Sequence, residues 1–135
     1  MSDNTEMIHL SNKNSSEVYE LKENEITKIN NWLVGIIYFE KYDILIDHHY
    51  WKKKYFMLTE FFFTLISRHN YKRQRKYKLS TLCISGISGD GNNVFFYIYK
   101  KNKKNKKKSL IKLTTTNLDG LLLLHKELNL SIKCE

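Results

Sequence analysis

At 135 residues with 41% apolar content, the chain is long enough for one domain with a real core. No window approaches the roughly 18 uninterrupted apolar residues of a membrane-spanning helix, and the start, Met1-Ser2-Asp3-Asn4-Thr5-Glu6, lacks the basic and apolar pattern of a secretory leader, so a cytoplasmic protein is expected. The formal charge of +9 is uneven: residues 1–31 hold six acids against three lysines, which leaves residues 32–135 at +12, a field that favours polyanions such as nucleic-acid phosphates or an anionic membrane leaflet.

Lysine outnumbers arginine 20 to three, asparagine occurs 13 times and proline never, a profile that looks like the codon bias of an AT-rich genome and gives the lysines a second source besides selection for binding. Cys83 and Cys134 are far apart and in no Cys-x-x-Cys arrangement, so neither a disulfide framework nor a zinc site is expected.

Residues 1–14 have little apolar content and no period, and are expected to be a disordered extension. From Ser15-Ser16-Glu17, the spacing of Val18, Leu21, Ile26 and Ile29 predicts a short amphipathic helix within 15–31, broken by Asn30-Asn31. Trp32 to Phe39 is β-branched and aromatic, and predicts a first strand. A connection from Glu40 to His49 follows, with Ile44-Leu45-Ile46 between Asp43 and Asp47. Such a triplet extends the hairpin strands, folds back on the core, or forms a wedge that enters the headgroup region of a membrane.

Tyr50 to Leu58 predicts a second strand, in which period-two alternation places Trp51, Lys53, Tyr55 and Met57 on one face and Lys52, Lys54, Phe56 and Leu58 on the other. Phe61 to Arg68 predicts a third strand, 70–76 a basic loop, and Tyr77 to Ile84 a fourth strand or a strand and bend. Ser85 to Asn93 is a turn-rich loop. Val94 to Tyr99 and Ser109 to Thr116 predict two more strands joined by the lysine run 100–108. Asn117 or Asp119 then caps a helix to about Leu130, with Leu121, Leu124 and Leu128 on one stripe.

The first strand with Gly35, the second strand with Trp51-Lys52-Lys53-Lys54-Tyr55-Phe56-Met57-Leu58, Tyr77-Lys78-Leu79-Ser80, Phe96 with Ile98, and Leu113 with Thr115 resemble a divergent pleckstrin-homology (PH) domain over about residues 32–130. The resemblance implies a mainly β fold for 32–135: a PH-like barrel of about seven antiparallel strands capped by the C-terminal helix, with the short helix ahead of it. Leu124 stands where the family has a helix tryptophan, and Phe39 where its phosphoinositide binders have a lysine. Size and composition also resemble the acylated PH-domain proteins of apicomplexan parasites, which sense phosphatidic acid, although Ser2 replaces the glycine that myristoylation needs.

The resemblance implies a non-catalytic module docked on the cytosolic face of a membrane, with Lys41, Lys52, Lys54, Arg68 and Arg73 around a phosphatidic acid or phosphoinositide headgroup at the barrel mouth. Ile44, Leu45 and Ile46 would insert into the bilayer. Lys103, Lys104, Lys106 and Lys107 would form an auxiliary basic loop, for which a solvated loop and a nucleic-acid contact are the other readings. An interaction scaffold for a protein partner is the rival function, and nucleic acid is the least favoured partner because no aromatics interleave with the lysine run. Asp47-His48-His49 has no third ligand nearby in sequence, and no nucleophile sits with a base, so no metal, cofactor or catalytic residue is expected. Gly86-Ile87-Ser88-Gly89 matches a phosphate-clamping Gly-x-x-Gly string, but strands flank it where that loop needs helices.

Overall fold

The computed structural model describes residues 5–11, 16–22, 25–43, 48–90, 93–100, 108–115 and 117–133. The strands are β1 (Thr5–Ser11), β2 (Ser16–Lys22), β3 (Ile26–Ile29), β4 (Trp32–Asp43), β5 (His48–Leu58), β6 (Phe62–Ile66), β7 (Gln74–Lys78), β8 (Leu82–Ile84), β9 (Ser88–Asp90), β10 (Asn93–Lys100) and β11 (Lys108–Thr114), followed by one helix, α1 (Leu118–Lys133). Nine of the strands form one sheet in the order β7-β6-β5-β4-β11-β10-β8, with β3 added to β4 and β9 to β10.

This sheet is not closed into a barrel, which corrects the PH-like barrel expected from sequence. Among the described residues β7 and β8 end the sheet on opposite sides and do not pair with each other. The chain between them is a single 3-10 turn, Leu79–Thr81, whose Leu79 is buried with Leu82 and Leu124 in one cluster. At this corner the backbone serves burial instead of a ladder. A headgroup pocket at the mouth of a closed barrel, and with it the PH-domain and phosphoinositide or phosphatidic acid reading, loses its structural basis.

At the N-terminus, among the described residues, strands form in place of the helix expected from sequence. β1 and β2 make a separate antiparallel hairpin, with Ile8 opposite Tyr19 and Glu6 opposite Leu21. Period-two alternation wins over helical spacing here: Ile8 and Leu21 are fully buried, while Met7 and Val18 are exposed. Nor does Asn30-Asn31 end a helix. Both residues have positive φ, 52° and 70°, and they join β3 to β4 with Ile29 paired to Trp32. That is the two-residue hairpin turn for which asparagine is favoured.

The sheet is covered on both faces. On one, Phe56, Phe63, Phe96 and Leu113 pack with Leu121, Leu124 and Leu128 of α1. On the other, Val34, Ile36, Tyr55, Met57 and Ile66 pack under Ile8 and Leu21 of the hairpin. Double coverage explains why β4 reads as a continuous apolar run instead of an alternating one. The helix starts at Asn117, whose Oδ1 accepts the Gly120 N–H at 3.0 Å. No described helix is long and apolar enough to cross a membrane.

Candidate anion-binding site

The site begins with the length mismatch between β5 and its neighbours. β4 pairs β5 along its whole length, Leu33 with Leu58 through Asp43 with His48, but β6 ends where Ile66 pairs Tyr55. Beyond that point the second edge of β5 has no strand beside it among the described residues. The face that carries Phe56 and Leu58 in the core therefore continues as Lys54 and Lys52, opposite Ile37 and Phe39. Lysines on an unpaired edge also discourage another strand from adding there. Lys54 Nζ lies 5.3 Å from the centre of the Phe39 ring, a cation–π contact that keeps its charge at the rim of the core.

The connection from β6 to β7 closes over this edge and is hydrogen-bonded to itself. Ser67 N–H donates to Arg73 O at 3.0 Å, Arg73 N–H to Asn70 O at 2.9 Å, and Lys72 N–H to Asn70 Oδ1 at 3.1 Å. An asparagine side chain that accepts from the backbone two residues on is a turn-forming device. It sets Arg73 and Lys72 beside Lys52 and Lys54 in a cleft of about 540 Å³, which Lys53 and Arg68 also line. The cleft wraps the edge of β5, so residues from both faces of that strand reach it.

A second cleft, about 560 Å³, shares Lys54 with the first and adds Arg75, Lys76, Lys78 and Lys100, with Tyr77 and Thr81 as hydroxyl groups. Arg75 lies over the Tyr77 ring at 5.9 Å. Among the described residues the one carboxylate in the lining of these clefts is Glu40, whose Oε2 lies 3.3 Å from Lys112 Nζ. Neighbouring cations separated by so few carboxylates attract an anion. Lysines supply charge without fixing orientation; Arg73 and Arg75 supply planar forks that can hold a phosphate by two hydrogen bonds.

Of the residues expected from sequence, Lys52, Lys54 and Arg73 are brought together. Arg68 lines the same cleft, but its guanidinium is held by Glu6 of β1: Nε donates to Glu6 Oε1 at 2.7 Å, and a second hydrogen bond runs from Nη2 to the same oxygen. Lys53 Nζ is 3.2 Å from Glu6 Oε2. Burial opposes the charge on Glu6, but hydrogen bonds from Arg68 and Lys53 outweigh it and hold the carboxyl below its usual range. Burial and the Glu6 charge push the Tyr55 phenol up. Lys41 pairs with Tyr50 in the backbone ladder. Ile44, Leu45 and Ile46, and likewise Lys103, Lys104, Lys106 and Lys107, lie outside the described residues.

Sequence reasoning missed Arg75, Lys100, Lys53 and Glu6. Arg75 was missed because strand β7 begins at Gln74, within the stretch read as a loop. Glu6 was missed because its partner Arg68 is 62 residues away. Among the described residues no group of three His, Cys, Asp or Glu side chains could hold a metal ion. Compared with known proteins, the chain matches no family model, no curated protein and no solved structure.

Proposed function

We propose that this protein is a non-catalytic binding module that docks on the phosphate-bearing surface of an anionic membrane, using charge gathered along the free edge of β5. The reading is supported by one observation above all: Lys52, Lys54 and Arg73 line a single open cleft that shares Lys54 with a second cleft carrying Arg75 and Lys100. A leaflet offers many phosphates in a plane, and each basic residue near it contributes roughly 1 kcal/mol. Attraction of this kind tolerates lysine where stereospecific recognition of one headgroup would need fixed forks.

Co-sedimentation with phosphatidylcholine vesicles, with and without phosphatidylserine, tests this, with single-stranded RNA as a competing polyanion. Binding should require phosphatidylserine and should fall steeply with salt, since screening shortens to about 3 Å at 1 M. Lys52→Glu with Lys54→Glu should weaken it at least about tenfold, because two attractions become repulsions. Equal binding by this double variant would move the site elsewhere, and preference for RNA over vesicles would replace the membrane with nucleic acid.

A second reading, docking of a protein partner, is favoured by an open groove of about 690 Å³ in which Phe61 and Leu130, 65% and 52% exposed, flank Leu79 and Ile132. Exposed apolar side chains gathered in a groove are a feature of protein-binding surfaces. Phe61→Ser with Leu130→Ser would leave vesicle binding intact and remove a protein contact.

A further inference from the structure

Part of the positive charge lining the cleft at the edge of β5 is already paired within the chain. Two of its cations, Lys53 and Arg68, converge on the carboxylate of Glu6, and the Tyr55 hydroxyl shares in the same hydrogen bonding. Glu6 sits on the inward face of β1, level with Leu21 across the hairpin and one alternation from Ile8. An acid placed on the apolar side of a hairpin is costly to bury unless something on the other side requires it. Its side chain is 15% exposed, largely enclosed between β1 and the two cations.

The hairpin stands apart from the hydrogen-bonded ladder of the main sheet. It forms its own two-stranded sheet and makes no ladder with the other nine strands among the described residues. What holds it to the sheet is the burial of side chains such as Ile8 and Leu21, together with the Glu6 contacts, the stacking of His9 on Tyr71 at 4.3 Å and a hydrogen bond from Asn30 Nδ2 to the Tyr19 hydroxyl at 3.1 Å. A two-stranded hairpin is at best marginally stable without such support.

We propose that Glu6 is a built-in competitor for the anion site: its carboxylate stands in a cradle of Lys53, Arg68 and Tyr55 that takes a phosphate group of an anionic phospholipid surface, and the hairpin of β1 and β2 lifts from the sheet when the two exchange. This rests on the membrane-docking reading above. The coupling follows from the shared cations: a phosphate on Lys53 and Arg68 competes with the Glu6 carboxylate that β1 carries. Docking then uncovers the apolar strip of Val34, Ile36, Tyr55, Met57 and Ile66. The free protein is thereby held in a closed, weakly binding form.

The test is hydrogen exchange of the full chain with vesicles of phosphatidylcholine, with the same vesicles containing phosphatidylserine, and with inorganic phosphate alone, together with vesicle affinities for the native protein and Glu6→Gln. Phosphatidylserine vesicles should speed exchange in residues 5–22 of the native protein while β4 and β5 stay protected. Glu6→Gln should bind those vesicles at least about fivefold tighter, the gain expected from freeing one basic residue near an anionic surface. Glu6→Asp, which keeps the charge on a shorter arm, should fall between them and serves if the glutamine variant folds poorly. Equal affinity for all three proteins with the hairpin still protected in the docked state would overturn the exchange and leave membrane docking standing. Opening of the hairpin by inorganic phosphate, without vesicle binding, would overturn membrane docking and leave the exchange standing with a free anion. No response to either would overturn both.

Discussion

Ile26 packs onto the bare α-carbon of Gly35. A Cβ built on Gly35 would lie 2.8 Å from Ile26 Cγ1, 2.9 Å from its Cα and 2.6 Å from the backbone oxygen of Glu25, which itself accepts the Ile36 N–H at 3.2 Å. The same Ile26 meets α1, since a Cβ on Gly120 would lie 2.9 Å from its Cδ1. Strand β3 is thus wedged between β4 and the helix, with a glycine on each side of one isoleucine.

Gly35→Ala should therefore destabilise the protein, by about 1–3 kcal/mol, the usual cost of forcing atoms into a filled interior. Urea unfolding of the variant measures it. An unchanged midpoint would mean that β3 yields freely and is no part of the folded unit.

The turn at Asn30-Asn31 makes opposite forecasts for two substitutions. Asn30→Ala puts a side chain with no local hydrogen bond at φ 52°, a left-handed conformation that costs about 1–2 kcal/mol for ordinary residues. Asn31→Gly, at φ 70°, should be neutral or stabilising by a few tenths of a kcal/mol. Thermal melts of the two variants shifted in the same direction would exclude this turn.

Glu6 makes the seating of the hairpin depend on pH. Its folded-state pKa is depressed below the ordinary carboxylate value by Arg68 and Lys53 against the opposing effect of burial. The unfolded chain therefore takes up the proton first, and the contribution of Glu6 is complete above the ordinary value. It should decline as pH falls from there towards the depressed value, with Lys53, Arg68 and Tyr55 as the groups facing it. Glu6→Gln should flatten that part of the stability profile. Equal acid slopes for the two proteins would show that the carboxylate is not held.

Lys112 should report on the face of the sheet that carries Glu40 and Trp51. Its ammonium lies 4.1 Å from the Phe95 ring centre, 5.6 Å from that of Trp51 and 5.9 Å from that of Tyr97, with Glu40 at 3.3 Å. Lys112→Met removes the cation and leaves Glu40 without that partner, which should cost about 1 kcal/mol and shift the Trp51 part of the fluorescence spectrum. A Trp51→Phe background identifies that part, because Trp32 is the other tryptophan. Identical spectra with and without the lysine would place it away from the ring.

Elements whose patterns are strongly local were legible. The strand at 32–39 and its partner at 50–58 follow from β-branched, aromatic runs, and β5 divides its residues between two cores by the parity read from sequence: Phe56 and Leu58 with α1, Tyr55 and Met57 with the hairpin. Residues 15–31 were not legible, since Val18, Leu21, Ile26 and Ile29 satisfy helical spacing while tertiary packing selects Leu21 and Ile26 for burial in strands and leaves Val18 in water. Propensity over so short a window is a weak prior, and a sheet face in need of cover outweighs it.

The chain's own order of residues determined the pairing of lysines along β5, the leucine stripe of α1 and the strong positive charge after residue 31, because each depends only on near neighbours and the period of the backbone. Tertiary structure alone decided that the sheet stays open, that its second face is roofed by the N-terminal hairpin, and that Arg68 meets Glu6 instead of standing free in the cleft. These are contacts between segments far apart in sequence. They are chosen by which apolar face must be covered and which charge must be paired, and no local periodicity carries that information.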